Sequence, residues 1–409
     1  MARTLDSSNK VLSLKEIIKL VKTLASKNKL DIIPKNEHII QFLAENSHYR
    51  EKLRVRPTKT ASGVAVIAIM PKPYNCPHGR CIYCPGGIEY NTPLSYIGSE
   101  PVTKLAQIFE FDPHKQIQSK ILQLKNRGHN ITKVELVIVG GTFPFMPIEY
   151  QKTFVKSCFD SLNLKESDSL EEALKMNEKA ELRCVGFTVE TKPDYCKQNH
   201  VDTMLELGVT RVEIGVQTLQ NTIYKNVNRG HDLKDVTKAF KIARDSGYKI
   251  VAHMMPGLPG SSPKKDIEDF KILLEEPRFK PDMLKIYPTL VLKNTGLYKL
   301  YNEKKYIPYS DEDLINILIE VKKIVPKWIR IMRVQREIEE KDIVAGPKNG
   351  NLRQIILEKM NVLGIKCKCI RCREGGLQSR LIDDNNIIMN RIDYDASNGK
   401  EIFLSMESK

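Results

Sequence analysis

Apolar residues recur along this chain in two rhythms. Residues 13–28 carry Leu14, Ile17, Ile18, Val21 and Leu24 at helical spacing, with Lys15, Lys19 and Lys22 on the opposite face. Ser13 and Glu16 are spaced as a capping box at its start. A second short helix is expected around 37–45, after Pro34. From residue 64 the rhythm changes. Six short β-rich apolar segments follow, at 64–70, 134–141, 184–190, 211–217, 248–256 and 283–290. Amphipathic stretches at 113–128, 147–162, 194–208, 232–247 and 264–276 separate them. Alternating strand and helix predicts an α/β fold of parallel strands joined by right-handed crossovers. Polar residues stand at the C-terminal ends of these strands. That favours a partial (βα)6 barrel over a flat doubly wound sheet, because a barrel gathers its chemistry at that end.

Beyond the barrel, 328–336 reads as one more β-like segment and 351–360 as a helix. The final apolar run, EIFLSM (401–406), reads as a strand with nothing after it to pair with. The pattern divides the chain into a basic helical module (1–60), the partial barrel (61–340), a linker (341–395) and a last segment (396–409).

Composition narrows the class. The 409 residues suffice for more than one domain. No apolar run approaches the ~20 residues that cross a bilayer, and the N-terminus lacks the apolar core of a signal peptide, so no membrane partner is expected. Nine cysteines, an odd number in clusters, argue against a disulfide framework and for metal-type use in a reducing, cytoplasmic setting. The net charge of +15 fits either a solvated lysine-rich surface or a polyanionic partner. Lys15, Lys19 and Lys22, with Arg54, Arg56 and Lys59 in the following linker, are candidate contacts to a phosphate backbone.

The chemistry centres on CPHGRCIYCPGG (76–87). Cys76, Cys81 and Cys84 stand at C-x4-C-x2-C spacing in a Pro/Gly loop that follows a buried strand, which lets three thiolates face one metal or cluster. Three ligands leave one iron of a [4Fe–4S] cluster open, and the amino and carboxylate groups of S-adenosylmethionine can chelate it. Gly140, Gly141 and Thr142 follow the second strand, Glu190 ends the third, Glu213 and Gln217 belong to the fourth, and His253 lies on the fifth. The glycine pair permits close backbone approach to the methionyl group. Glu213 and Gln217 suit ribose hydroxyls. Lys285 faces the barrel interior by strand parity and is a candidate for gripping a substrate phosphate or carbonyl. Cys367, Cys369 and Cys372 form a second triad, C-x-C-x2-C, which fits zinc with a fourth ligand from elsewhere or a second iron–sulfur cluster.

The first triad, the glycine pair and the six-unit pattern resemble the radical S-adenosylmethionine (SAM) superfamily, whose usual C-x3-C-x2-C spacing is one residue shorter. Together with VGGTFPFMP, ETKPDYC, RVEIGVQ, NRGHDL, VAHMMPGLPG, LKIYPTLVLKNTGLY and MRVQREI, they resemble the family of Elongator catalytic subunits, archaeal type, over about residues 10–409. The resemblance implies that Cys76, Cys81 and Cys84 ligate a [4Fe–4S] cluster. It also implies that a 5′-deoxyadenosyl radical and acetyl-CoA modify carbon 5 of the wobble uridine in the tRNA anticodon stem-loop, giving a 5-carboxymethyluridine-type product. Lys133 matches a lysine implicated in acetyl-CoA binding, the basic module matches a tRNA-binding region, and the Cys367 triad resembles a zinc loop. A homodimer or other Elongator-type subunits are the implied protein partners. Members of the family continue into an acetyltransferase domain, of which residues 396–409 resemble the first strand; no Gly-rich acetyl-CoA loop is found in the sequence. A fragment, or an acyl-CoA half that is separate or lost, is therefore expected. The alternatives are a tRNA-binding, cluster-carrying protein without full turnover and a radical SAM enzyme with another substrate.

Overall fold

The computed structural model describes residues 1–6, 11–377 and 386–408; the parts of the expected segments 1–60, 341–395 and 396–409 that fall on 7–10, 378–385 and 409 lie outside the described residues. Seven parallel strands form one open sheet in sequence order: β1 (Ala65–Ile69), β2 (Lys133–Ile138), β3 (Arg183–Thr191), β4 (Arg211–Gln217), β5 (Lys249–Met254), β6 (Met283–Ile286) and β7 (Arg330–Arg333). The expected six strands are all present, and the count is corrected to seven. The 328–336 segment pairs with β6, Met283 opposite Arg330, instead of following the barrel as a separate element. Its short Arg330–Arg333 core alternates too weakly for periodicity alone to assign it to the sheet.

The crossovers pack on one face of the sheet. They include α1 (Pro113–Asn126), α2 (Ile148–Asn163), α3 (Gln198–Glu206), α4 (Leu233–Asp245), α5 (Pro263–Glu275) and α6 (Asp311–Ile324). Period-2 alternation explains this. On β4, Val212, Ile214 and Val216 are completely buried toward the helices, while Arg211, Glu213, Gly215 and Gln217 line a cavity on the other face. Each such aliphatic side chain contributes roughly 1.5–3 kcal/mol by leaving water. Residues from all seven strands line that single cavity of about 860 Å³. Strands at the two sheet edges share one cavity only if the sheet is curled, which makes it a partial barrel.

The N-terminal module has its own small core, in which Ile17 and Val21 pack with Leu5, Ile39, Ile40, Tyr49 and Leu53. The helix Leu14–Lys27 starts at the expected Ser13/Glu16 capping box. Leu14 and Ile18 differ from expectation. Both are about half exposed, because the short elements facing this helix cover only the narrow Ile17–Val21–Ala25 stripe. The last segment is a strand as expected, and it finds a partner that periodicity does not assign. Gly399–Ser408 pairs antiparallel with the preceding Ile387–Ala396, so its partner comes before it in the chain. Stacking of Trp328 on Tyr394 at 4.2 Å and the ion pairs of Glu407 with Arg373 and Lys327 tie this hairpin to the barrel. No helix among the described residues is long and apolar enough to cross a membrane.

Candidate active site

The cysteine loop sits over the C-terminal ends of the strands and borders the cavity with Cys76, Cys81 and Cys84. Cys81 and Cys84 are buried and Cys76 partly so. Burial pushes the Cys76 thiol up and the Cys84 thiol up to about 12, so deprotonation needs an incoming cation. Positive charge stands ready on the protein side. Arg229 is buried, with Nη1 3.6 Å from Cys81 Sγ and Nη2 donating to the Gly215 carbonyl at 2.7 Å. The Thr142 hydroxyl lies 3.8 Å from Cys76 Sγ.

Across the cavity, strand register lines up a polar row. His253 on β5 is opposite Lys285 on β6, which is opposite Arg333 on β7. Glu213 on β4 joins them: its Oε2 accepts from Lys285 Nζ and lies 2.8 Å from His253 Nε2. Burial alone would raise the Glu213 carboxyl, but Lys285 and His253 outweigh it and hold it below the usual carboxylate range. Burial likewise opposes the charge on Lys285, and Glu213 keeps that ammonium above its ordinary value. Glu213 Oε1 and Gln217 Oε1 are buried without a hydrogen-bond partner, and both residues line the cavity. Gln217 also holds a left-handed backbone, φ 76°, at the end of β4. Glu190 lies beside this group, its Oε2 accepting from the Gly140 amide at 3.0 Å. At Gly140, φ is 123° and an added Cβ would come within 3.1 Å of Pro93, so this position packs against the loop while Gly141 and Thr142 line the cavity.

The residues fit an iron–sulfur cluster with an organic co-ligand. Three cysteine sulfurs border one roomy cavity together with the unpaired Glu213 and Gln217 oxygens, which suits a cluster with one iron left to a co-ligand. Orphaned acceptors in a roomy cavity call for a ligand rich in hydroxyl and amino donors.

The other expected residues are placed apart. Lys133 opens β2 and is exposed; six residues of strand, about 20 Å, separate it from Gly140, and it does not line the cavity. Lys15, Lys19 and Lys22 are exposed on the N-terminal helix, Arg54 is half-buried against Glu51, Arg56 is exposed, and Lys59 borders the cavity. Cys367, Cys369 and Cys372 converge within 4.8 Å, and no fourth Cys, His, Asp or Glu among the described residues joins them. The fully buried Lys322 donates to Cys372 Sγ at 3.7 Å, and hydrogen bonds from Cys367 and Cys372 hold the Cys369 thiol low. Sequence reasoning passed over Arg229, His78 and Arg333 as site residues. The NRGHDL stretch was the available signal for Arg229, and His78 lay inside the cysteine loop itself.

The curled sheet, the cysteine loop at its strand ends and the polar row facing it define a radical SAM protein. Residues 70–273 match the radical SAM superfamily and residues 281–361 its C-terminal domain. The class carries a [4Fe–4S] cluster and SAM. The chain is 47% identical over 387 residues to the tRNA uridine(34) acetyltransferase of Methanocaldococcus jannaschii, spanning 91% of this chain and 71% of that one. It is 40% identical over 417 aligned positions to Elongator complex protein 3 of Schizosaccharomyces pombe, spanning 98% and 76%. The solved structure of archaeal Methanocaldococcus infernus Elp3 with an N-terminal deletion superimposes with a TM-score of 0.75 at 42% identity, covering 85% of this chain and 75% of that one. The chain therefore belongs to the family of Elongator complex protein 3 and the archaeal tRNA uridine(34) acetyltransferases.

Proposed function

We propose that this chain is an acyltransferase-class radical enzyme that modifies carbon 5 of the wobble uridine, position 34, of tRNA, with acetyl-CoA as co-substrate. The observation that carries the reading is the pairing of a cysteine loop with the Glu213–Lys285–His253 row across one cavity, in a chain nearly half identical to a tRNA uridine(34) acetyltransferase. Cys76, Cys81 and Cys84 would hold the cluster. Bound there, the cluster and SAM supply a carbon-centred radical by one-electron cleavage of a C–S bond. The protein supplies position and exclusion of water. Glu213 Oε1 and Gln217 Oε1 would accept from ribose hydroxyls, and the Arg229 Nε–H, also unpartnered, would meet a carboxylate. Lys285, held charged, would orient an anionic or carbonyl oxygen at the barrel mouth. The exposed lysines of the N-terminal helix would contact tRNA phosphates, and zinc would occupy the Cys367 triad. Lys133 would meet acetyl-CoA at the far end of β2.

The test is anaerobic reconstitution with iron and sulfide, followed by dithionite and SAM, measuring 5′-deoxyadenosine with and without tRNA and acetyl-CoA. Formation that rises with both substrates is expected, and Cys81→Ala should abolish it while leaving tRNA affinity unchanged. No deoxyadenosine under any condition would refute the reading. Cleavage indifferent to acetyl-CoA would point to another substrate.

A further inference from the structure

We infer that Lys192 and His78 form a positioning relay that directs an imidazole N–H onto Cys81 and so makes the cluster held there easier to reduce. The inference rests on the radical-cluster reading above. His78 lies in the Cys76–Cys81 loop, the interval one residue longer than the spacing usual in the superfamily. Its Nε2 is 3.2 Å from Cys81 Sγ, and its Nδ1 is 2.9 Å from Lys192 Nζ. Lys192, 3% exposed at the end of β3, also donates to Asp194 Oδ2 at 3.1 Å.

An ammonium group has three donors and no acceptor. Lys192 therefore requires Nδ1 of His78 to be the acceptor, and the ring proton sits on Nε2, facing the sulfur. A carbonyl in place of Lys192 would select the opposite tautomer and present a lone pair to Cys81. The backbone at Gly230 packs closely against His78. At Gly230, φ 77°, an added Cβ would fall 2.4 Å from His78 Cβ, so the loop fits only over glycine. With Arg229 Nη1 at 3.6 Å, Cys81 Sγ has two nitrogen donors, whereas Cys76 has a hydroxyl at 3.8 Å. Donors to a ligating sulfur stabilise the more negative, reduced cluster, and outer partners that fix a ring's orientation are part of that tuning. The hydrogen bonds of Lys192 run to His78 and Asp194, so it reaches Cys81 through His78, while its charge also acts across space on Cys76.

The test is a reductive titration of the reconstituted full chain followed by electron paramagnetic resonance, with iron and sulfide content measured for each variant. His78→Leu and Lys192→Met are each expected to lower the reduction equilibrium constant about tenfold, ~59 mV for a one-electron couple. Lys192→Met should shift the potential less in the His78→Leu background than in the wild type, because only its direct charge effect on Cys76 remains once the ring is gone. His78→Gln, whose amide can donate to the sulfur, should recover most of the shift. Unchanged potentials in both single variants overturn the inference, as do additive shifts in the double. If His78→Leu fails to retain a cluster, Lys192→Gln set beside Lys192→Met decides: the uncharged amide can still donate to Nδ1, so a smaller shift than that of Lys192→Met supports the relay and an equal shift overturns it. A wild-type chain that takes up no iron and sulfide would instead refute the cluster reading, and the relay with it.

Discussion

Replacing Lys285 by methionine removes the principal cation from a carboxylate that is only 1% exposed. Glu213 Oε1 already lacks a partner, so His253, at 2.8 Å from Oε2, would be the remaining contact to the carboxylate. Breaking a buried pair by deleting one member costs about 3–5 kcal/mol, since the survivor keeps its desolvation penalty and loses its attraction. At roughly 2 cal/mol/K per residue, a chain of this length has an unfolding entropy near 0.9 kcal/mol/K, so the melting temperature should fall by about 3–6 °C. Glu213→Gln combined with Lys285→Met replaces both charges. Most of the loss should return, leaving the double variant within about 1–2 kcal/mol of the wild type. Urea denaturation of the apoprotein, with all four members of the cycle measured together, gives the coupling directly. A Lys285→Met cost below about 1 kcal/mol, or a double variant that loses the sum of the single effects, would refute the argument that this pair is interdependent.

Three further outcomes are expected. Changing Lys15, Lys19 and Lys22 together to alanine should weaken tRNA binding and flatten the slope of log K against log salt by about 2, without altering deoxyadenosine formation in the absence of tRNA. Purified chain should retain about one zinc ion; Cys369→Ser should lose it, and chelation should lower the melting temperature of the wild type but not of the variant. Asp266 is buried beneath the loop after β5 and accepts from the Gly257 amide, the Ser261 hydroxyl and the Tyr309 hydroxyl. Burial nevertheless lifts its carboxyl from 3.8 to about 6. The folded state thus binds this proton more tightly than the unfolded chain. Its contribution is present below about pH 4 and lost as pH rises through 6, roughly 3 kcal/mol in all. Wild type should therefore lose stability relative to Asp266→Asn between pH 4 and 7, and a constant difference between their melting temperatures would contradict the sign.

Much of this protein was legible in its sequence because strand and helix periodicities are local. The alternation on β4 put Glu213 and Gln217 on one face, and strand parity sent Lys285 to the same interior. Cysteine spacing marked both triads, and the Ser13/Glu16 box marked the start of the first long helix. Pairing, partnership and depth were decided by the tertiary structure. No local signal told that 328–336 would extend the sheet, that 401–406 would fold back on 387–396, or that only a narrow stripe of the N-terminal helix would be covered. Glu213 and Lys285 stand 72 residues apart in the chain, and Lys192 reaches His78 across 114. Such contacts depend on where crossovers return the chain, and their energies on how much water the returned segments exclude. The sequence by itself thus determined which side chains could do chemistry, and the curling of seven strands decided which of them meet.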